Sequence, residues 1–480
     1  MTICLVAEGS YPYVSGGVSG WIQLLVESMP EHDFLLYTIG AMEKEKGCFR
    51  YVLPGNIREV HEHFLDTSLM QKGHPGRRYR LDPVHREALH ALMTGKSCDW
   101  NAIFSLIDAN TGMQAVDFVM SRDFYGIVAA AAEEAYPFIA FNEFFWCIRA
   151  MLLPLLGLIC VEMPKADVYH AVSTGYAGVL SARGAIRNQA ACVLTEHGIY
   201  TREREEEIIK AEWVKGYFKS TWIDYFVNLS RCVYRQANPV ISLFGAARSI
   251  QHQLGCSPDK TRVVPNGVRC ERFRNLACRE KTPGMLWLGA LVRLVPIKDI
   301  KTMIQAFALA LHAVPGMRLY IMGPSEEDPD YSEECRHMAA SLGNPDIVFT
   351  GQVPVMEWIG SMDILLLSSI SEGQPLAVLE GMAASKPHVL TDVGSCRELM
   401  EGMQSEPEDA FGCAGLVVPV MNPEAYAAGI VKLARSAALR EQMGRAAHDR
   451  VNRFYTMEAL KATYRDIYRK AGEGHGGDRF

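Results

Sequence analysis

The sequence predicts an α/β protein with two doubly wound domains, each built on a parallel sheet. Its 480 residues exceed what one hydrophobic core usually serves. Short apolar runs alternate with helical patterns, which favours parallel strands joined by right-handed crossovers. The alternation restarts after Gly284, so the second half repeats the pattern of the first. In such folds ligands bind at the carboxyl ends of the strands.

The first predicted domain covers residues 1–275. Its strands are predicted at Ile3–Ala7, Phe34–Ile39, Val168–Val172, Ala191–Thr195 and Pro239–Ser242. Its helices are predicted at 21–29, Tyr176–Arg183, 203–237 and Leu243–Leu254. Residues from about 41 to 165 are less regular, and we predict a helical elaboration there.

The second predicted domain covers residues 276–453. Its strands are predicted at Met285–Leu288, Arg318–Met322, Ile347–Thr350, Asp363–Leu367 and His388–Thr391. Its helices are predicted at Ile300–Val314, Glu333–Leu342, Val355–Gly360 and Leu376–Ala384. Residues 454–480 then carry apolar side chains at helical spacing, followed by a glycine-rich tail.

The composition is that of a soluble globular protein, with 49% hydrophobic and 21% charged residues. The net charge is −7, with Lys and Arg spread along the chain, so no nucleic-acid partner is expected. The 13 cysteines form no C-x-x-C pair, which favours reduced thiols in the cytosol. The opening "MTICLVAEG" indicates a first strand and not a signal peptide.

One apolar segment, Phe138 to Val161, is long enough to span a bilayer. Glu143, Arg149 and Pro154 interrupt it, and charges within a membrane are costly. A buried or interfacial helix is therefore favoured over a membrane span. A contact with a membrane or partner protein stays open.

The stretch Ser371–Glu380 follows a predicted buried strand. Pro375 suits the first position of a helix, and Gly373 allows close backbone approach. The free N–H groups of a helix start form an anion site, which places Glu372 beside a bound phosphate. Glu380, a turn and a half further on, suits ribose hydroxyls at the other end of a nucleotide. The alternative is that both glutamates are solvated helix charges.

Two further loops carry candidate residues at strand ends. Arg293 and Lys298 follow the first strand of the second half and suit a diphosphate, although loop cations are commonly surface charges. Gly16-Gly17 follows the first strand and presents backbone N–H groups, but matches neither a G-x-G-x-x-G nor a Walker motif.

The stretch "LTEHGIYTRER" places a third candidate after a strand. His197 precedes Gly198 at the sheet edge where sites form, although a single histidine is more often structural. Arg202, close by, is a candidate substrate contact.

The acidic loop "EEDPD" contains Asp328 and Asp330 at the Asp-x-Asp spacing that some sugar-nucleotide transferases use for a metal. Acidic residues also suit a helix start, and hard cations need several converging oxygens. We therefore expect no metal site here.

Four stretches together resemble the retaining glycosyltransferases of family 4, which have the GT-B fold. They are the pair Glu372 and Glu380 at E-x7-E spacing, "GALVRLVPIKD", "VVPNGV" and the loop with Gly16-Gly17. The stretch "LTEHGIYTREREEEI" further resembles the cytosolic glycosyltransferases of Pel exopolysaccharide biosynthesis. The resemblance implies two Rossmann-like domains facing across a cleft, with the last helix crossing back to the first domain. Gly381 replaces an alanine found in many relatives, and we expect no effect from that difference.

The resemblance also assigns roles, which are expectations here. It implies that Arg293 and Lys298 hold the diphosphate, that Glu380 binds the ribose and that Glu372 contacts the transferred sugar. The phosphate pocket would be completed by the backbone of Gly373, Gln374, Pro375 and Leu376. Gly16 and Gly17 would approach the donor or the acceptor, and His197 would lie near the reacting centre. Glu372, His197, Arg293 and Lys298 are thus the expected catalytic residues. No metal and no cofactor beyond the donor is implied.

The implied activity is metal-independent, retaining transfer of a hexose from a UDP-sugar such as UDP-glucose or a UDP-N-acetylhexosamine. The implied acceptor is a growing, Pel-like exopolysaccharide of a biofilm, or a lipid or sugar acceptor, on the cytoplasmic side. A membrane-bound polysaccharide synthase complex is the implied partner. Two alternatives stay open: a UDP-sugar epimerase or hydrolase with the same fold, and a non-catalytic scaffold of such a complex.

Overall fold

The computed structural model describes residues 1–70, 78–343, 346–403 and 406–474, which form two compact units. The first unit comprises residues 1–242, 248–262 and the chain from Tyr464 onward. The second comprises residues 243–247 and 263–463. Each contains a parallel sheet with helices, and each has its own buried apolar core. The predicted class of two Rossmann-like α/β domains is confirmed.

The first sheet has seven strands among the described residues. They are β1 (Thr2–Glu8), β2 (Asp33–Gly40), β3 (Ile57–Phe64), β4 (Val168–Ala171), β5 (Ala191–Glu196), β6 (Val240–Ser242) and β7 (Thr261–Val263). Their order is β3-β2-β1-β4-β5-β6-β7, and β1 pairs in parallel with both β2 and β4. The strand order therefore reverses between β1 and β4, where a doubly wound sheet opens a crevice for ligands.

Helices α1 to α11 accompany this sheet. They are α1 (Gly17–Glu27), α2 (Leu65–Met70), α3 (Pro83–Met93), α4 (Trp100–Ala109), α5 (Ala115–Val119), α6 (Arg122–Ala135), α7 (Phe141–Ile159), α8 (Tyr176–Asn188), α9 (Tyr200–Lys210), α10 (Lys219–Gln236) and α11 (Gly245–Gln253). Local caps define several starts: Asp99 accepts hydrogen bonds from the amides of Asn101 and Ala102, and Ser121 accepts one from Phe124.

Two features of this half differ from the sequence interpretation. β3 lies within the region expected to be helical, and the pattern did not identify it because charged residues alternate along a half-buried strand that pairs with β2. The helix predicted over 203–237 is two helices, α9 and α10. The chain leaves the helical path after Lys210 and buries Val214 before α10 begins.

Helix α7 is long and apolar enough by composition to cross a membrane. Half of its most apolar window is buried inside the structure, including Leu152, Leu153 and Pro154. Core helices of globular proteins pass the same test, so one such helix is weak evidence for a span. Most of its residues from Met151 onward pack into the core of the first unit.

The second sheet has six strands among the residues described. They are β8 (Leu286–Leu291), β9 (Met317–Met322), β10 (Ile347–Gly351), β11 (Ile364–Leu367), β12 (His388–Thr391) and β13 (Gly415–Val418). Their order is β10-β9-β8-β11-β12-β13, so the strand order reverses between β8 and β11. The associated helices are α12 (Ile300–Ala313), α13 (Pro329–Ser341), α14 (Val355–Trp358), α15 (Leu376–Ala383), α16 (Cys396–Glu401), α17 (Pro423–Ala434), α18 (Ala437–Phe454) and α19 (Met457–Gly474).

The end of α19 belongs to the first unit, as the crossing-back helix predicts. Two of its tyrosines join a buried polar chain there. The Tyr468 hydroxyl lies 2.7 Å from Nδ1 of His170, whose Nε2 lies 2.9 Å from the Thr195 hydroxyl. The Tyr464 hydroxyl lies 2.8 Å from that same Thr195 oxygen. The last helix therefore completes the core of the unit in which the chain begins.

Candidate functional site

Two of the predicted donor-binding residues meet at the strand-order reversal of the second sheet. Lys298 ends a short 3-10 helix after β8, and Glu372 lies in the loop after β11. The Lys298 Nζ lies 2.5 Å from Glu372 Oε1, and both side chains are largely buried. A backbone hydrogen bond from Ile370 to Ile297 ties the two loops together. A cation and a carboxylate thus stand together where such sheets bind ligands.

Further hydrogen bonds hold the Glu372 loop. The Ser369 hydroxyl donates to Glu372 Oε1 at 2.6 Å, and the Ser395 amide donates to the Gly373 carbonyl at 2.9 Å. Gly394 has a positive φ of 54°, and a Cβ there would lie 2.8 Å from the Glu372 carbonyl carbon. Only glycine lets the loop after β12 pack this closely on the loop after β11.

The start of α15 presents the predicted anion-binding amides. Pro375 is the N-cap residue, one position earlier than expected, and its carbonyl accepts from the amides of Val378 and Leu379. The preceding N–H groups of Leu376 and Ala377 have no partner within a helix. Gln374 is buried, and its Oε1 accepts from the Asn266 amide at 2.6 Å. The motif "VVPNGV" therefore supports the loop that carries α15.

Glu380 lies one turn into α15, on the helix whose start carries those amides. Burial raises the pKa of its carboxyl, and the charge of Arg272 partly offsets that rise. A desolvated carboxylate with spare acceptor capacity suits hydrogen bonds from ligand hydroxyl groups.

Arg293 is not drawn to the Lys298–Glu372 pair. Its Nη1 lies 2.5 Å from Glu327 Oε2, and the pair is about half exposed. Glu327 belongs to the acidic loop before α13, where the Asp328 carboxylate caps the helix by accepting from the Tyr331 amide at 3.0 Å. Within the described ranges, no group of three or more His, Cys, Asp or Glu side chains is placed to hold a metal ion.

The first unit holds a cavity of about 550 Å³ at its own strand-order reversal. Glu8 and Ser10, at the end of β1 and just beyond it, line the cavity together with Ser173 after β4 and Arg204 on α9. Glu8 accepts from the Tyr200 hydroxyl at 3.1 Å and from the Ala177 amide. Burial raises the pKa of Glu8, so its carboxyl is costly to ionise and is stabilised by these donors.

His197 also lines this cavity. Its ring packs edge-on against Trp21 at a centroid distance of 4.6 Å, and its Nε2 is buried with no hydrogen-bond partner in the part of the chain that the structure describes. Burial lowers the pKa of His197 to about 4, so the ring is neutral at pH 7. A neutral imidazole with an unsatisfied nitrogen can donate to or accept from a ligand, depending on its tautomer.

Gly16 and Gly17 begin α1, close to that cavity in sequence: Val18, the next residue, lines it. Both glycines are exposed, and a Cβ built on either has open space around it. Gly16 is fully extended, so neither crowding nor strain within the first unit requires glycine here. The loop offers backbone N–H groups to solvent at a helix start.

Four contributors to these sites escaped the sequence interpretation. Ser369 and Gly394 support the Glu372 loop, while Glu8 and Arg204 line the cavity. A glutamate at the carboxyl end of a first parallel strand is a signal that could have found Glu8. The candidate contact Arg202 is exposed and does not line the cavity, whereas Arg204, two residues on, does.

The difference at Gly381 has a structural counterpart. A Cβ on Gly381 would approach the His388 ring, with Cε1 at 2.8 Å, and would also contact Leu365. His388 on β12 is fully buried. The absent methyl group therefore leaves room for this histidine, and an alanine at 381 would require the His388 ring or Leu365 to shift.

Both halves of the chain match known protein families. Residues 1–259 match the family described as "Domain of unknown function (DUF3492)", and residues 282–436 match "Glycosyl transferases group 1". The D-inositol 3-phosphate glycosyltransferase of Acidothermus cellulolyticus is 31% identical over 245 residues, which are 47% of this chain and 52% of that protein. The MMP alpha-(1->4)-mannosyltransferase of Mycolicibacterium hassiacum is 25% identical over 288 residues, 58% of this chain and 65% of that protein.

Among solved structures, Anabaena HepE in complex with UDP has a TM-score of 0.61 at 14% identity. The match covers 98% of this chain and 100% of that one. HepE with UDP-glucose gives a TM-score of 0.59 at 15% identity and the same coverage. At this identity the likeness shows the fold, and it confirms the GT-B class.

The chain spans about half the length of the first curated relatives it matches. The family model of the first half covers more than half of the chain, and the model of the second half covers the loops that carry Lys298 and Glu372. The chain therefore belongs to the DUF3492 family and carries a glycosyl transferases group 1 domain in its second half.

Proposed function

We propose that the chain is a retaining, metal-independent hexosyltransferase that uses a UDP-sugar donor. The observation that carries this proposal is the Lys298–Glu372 pair at the strand-order reversal, beside the amides that begin α15. A cation and helix amides suit a diphosphate, and a carboxylate suits sugar hydroxyls. Glu380, further along α15, suits the ribose.

The relatives support the choice of donor. HepE, which shares the fold, has been solved with UDP and with UDP-glucose. Matched relatives are named as glycosyltransferases, one of them a mannosyltransferase. We therefore extend a UDP-hexose or UDP-N-acetylhexosamine donor to this chain.

In the proposed reaction, Lys298 and the α15 amides stabilise the charge that develops on the departing diphosphate. Such preorganised electrostatic stabilisation is usually the largest catalytic contribution. Arg293 joins them by releasing Glu327. An exposed ion pair of that kind contributes about 0.2–1 kcal/mol, so the release costs little.

Retention would follow from attack by the acceptor on the face that the diphosphate leaves, with no protein nucleophile. Lys298 and Ser369 already hold one oxygen of the Glu372 carboxylate, which favours a sugar-positioning role for Glu372. In the first unit, His197 lines the cavity and is neutral at pH 7, so it would act there as a hydrogen-bonding group and not as a charge.

The acceptor and cellular setting are further parts of the proposal. The stretch from Leu194 to Ile208 resembles PelF, which favours a Pel-like exopolysaccharide as the acceptor. The protein would then work in the cytoplasm, held at the inner membrane by a polysaccharide synthase complex. A lipid-linked or free sugar acceptor is the alternative within the same activity.

The donor assignment is tested by calorimetric binding of UDP-glucose, UDP-galactose and their N-acetyl forms. Native protein should bind one of them, and Glu380→Ala should bind it about 10- to 100-fold more weakly through loss of charge-assisted hydrogen bonds. Lys298→Ala should lower kcat by about 10²–10³, and Arg293→Ala with Lys298→Ala should abolish transfer. Lys301→Ala, an exposed lysine of α12 paired with Glu334, is the matched control.

Unchanged turnover in the double variant Arg293→Ala with Lys298→Ala, or no binding of any of the four donors, contradicts the proposal. The products separate the alternatives. An epimerase yields a new UDP-sugar without free UDP, a hydrolase releases UDP without any acceptor, and a scaffold gives no product.

A further inference from the structure

Several residues that line the cavity of the first unit carry buried polar atoms with no hydrogen-bond partner among the described residues. Four of its lining residues each carry one such atom: Ser10 Oγ, Ser173 Oγ, His197 Nε2 and Arg204 Nε. A buried polar group without a partner destabilises a protein, so most are paired. The four residues that carry these atoms all line one cavity of ligand-binding size, and together with Glu8 they give it polar groups that suit a ligand rich in hydroxyl groups.

The charges around the cavity set the kind of ligand. Glu8, Glu203 and Glu207 line it, and Arg204 is the one lysine or arginine among its described lining residues. Glu207 neutralises that arginine through an ion pair of 2.8 Å. His197 adds no charge at pH 7. A phosphate entering this cavity would meet carboxylates and no free cation, which is unfavourable.

A second concavity, of about 300 Å³, shares lining residues with the first. Trp213 and Trp222 line both. The second is lined further by Trp146 on α7, and Trp146 and Trp213 are 56% and 69% exposed. Exposed tryptophans are rare on a solvated surface and offer flat apolar faces with a polar N–H.

Two concavities that share a wall can serve as neighbouring subsites for one extended ligand. The cavity offers polar groups, and the second concavity offers indole faces on which the apolar face of a sugar ring can stack. Trp213 lies between α9 and α10, in the segment that breaks the long predicted helix. The break therefore places an aromatic ring among the residues that line both concavities.

Building on the proposed function, we propose that the acceptor is an oligosaccharide without acidic groups. Its terminal sugar would occupy the cavity, and the following sugars would lie over Trp213 and in the second concavity, which Trp146 lines. A phosphorylated polyol, the acceptor that the name of the Acidothermus relative indicates for that protein, would be excluded here.

The experiment uses the full chain on an array of immobilised glycans of one to ten sugars, including neutral, amino-bearing, sialylated and phosphorylated members. Native protein should bind neutral or amino-bearing glycans of three or more sugars. Binding to soluble forms of the same glycans is then measured by tryptophan fluorescence. Trp146→Ala and Trp213→Ala should each weaken binding of the longer glycans about tenfold, with little change for a disaccharide in Trp146→Ala.

Phe138→Ala is the matched control, since Phe138 is 97% exposed just before α7 and lines neither concavity. Glu203→Lys with Glu207→Lys should create binding of phosphorylated glycans that the native chain rejects. Three outcomes would each overturn the inference. They are strongest native binding to acidic glycans or single sugars, no glycan binding at all, and tryptophan variants that bind like native protein. UDP binding by calorimetry, run in parallel, reports separately on the proposed function.

Discussion

At the scale of single residues, Gly381 and His388 share one space in the core of the second unit. The ring of His388 lies where a methyl group on Gly381 would go, between α15 and β12. An alanine at 381 would gain helix propensity but would force the ring or Leu365 to move. The pair matters for the site because α15 carries both Glu380 and the amides that we propose to bind phosphate.

Gly381→Ala is expected to lower the free energy of unfolding by about 1–3 kcal/mol, because the added methyl group overpacks a filled core. Urea denaturation measures this change. Gly126→Ala, in α6 with open space around its Cβ, should instead be neutral or stabilising by up to about 1 kcal/mol. The same substitution is also made in a His388→Val background. An equal loss of unfolding free energy in both backgrounds would refute the explanation that the two side chains compete for one space.

Site residues of the second unit were predictable where the neighbouring residues in the sequence indicate the local structure. An apolar strand, a glycine, a proline and a helix identify the Glu372 loop, and the structure brings Lys298 to Glu372. Arg293 could not be placed in this way. A flexible, exposed side chain takes the nearest opposite charge, and that charge belongs to Glu327, thirty-four residues further along the chain.

At the scale of elements, three loops at the carboxyl edge of the second sheet form one connected support. The loops after β8, β11 and β12 are joined by backbone hydrogen bonds from Ile370 to Ile297 and from Ser395 to the Gly373 carbonyl. Ser368 adds bonds to the carbonyls of Lys298 and Asp299. Displacing the third loop should therefore disturb a site to which it contributes no charged group.

Gly394→Ala tests this connection. Its positive φ and close contact with the Glu372 and Gly373 carbonyls should shift the loop and weaken UDP binding about tenfold or more. Gly351→Ala is the control, since Gly351 has a positive φ of 68° at the end of β10 with open space around its Cβ. It should cost stability but not UDP affinity. Equal losses of affinity in both variants would count against the loop contact.

Element boundaries show why parts of the fold escaped prediction. Parallel core strands such as β11 are continuous apolar runs that the sequence displays directly. β3 is half buried, so its charges conceal the strand. The helices α17 and α18, beyond the last predicted strand, follow a segment in which Asp409 pairs with the buried Arg450 of α18. No local pattern indicates a contact between residues so far apart.

At the scale of the whole molecule, three deeply placed histidines make stability depend on pH. Burial lowers the pKa of His170 and His388 to about 3 and that of His197 to about 4. In the unfolded chain these histidines bind protons near pH 6.5, whereas in the folded protein they do so only near their lowered pKa values. The free energy of unfolding therefore decreases as pH falls from 6.5 toward those values. Glu196 acts oppositely: burial raises its pKa to about 7, so its contribution declines as pH rises from about 4.5 to 7.

His388→Leu should reduce the loss of stability on acidification. Between pH 6.5 and 4.5 the native chain should lose about 1–3 kcal/mol more than the variant, because the variant removes one proton-binding site of the unfolded state. Urea unfolding at the two pH values measures the difference. His337→Leu, at an exposed position on α13, should behave like native protein. A variant as acid-sensitive as native would show that His388 is not a source of the dependence.

The end of α19 has a consequence for biosynthesis. Tyr464 and Tyr468 satisfy the buried hydroxyl and imidazole groups of Thr195 and His170, yet they leave the ribosome about 200 residues after the last strands of the first sheet. At roughly 5–20 residues per second, the nascent first unit waits on the order of tens of seconds without the hydrogen bonds that these two tyrosines supply. Its folding therefore finishes after synthesis of the second unit, although its own chain was made first.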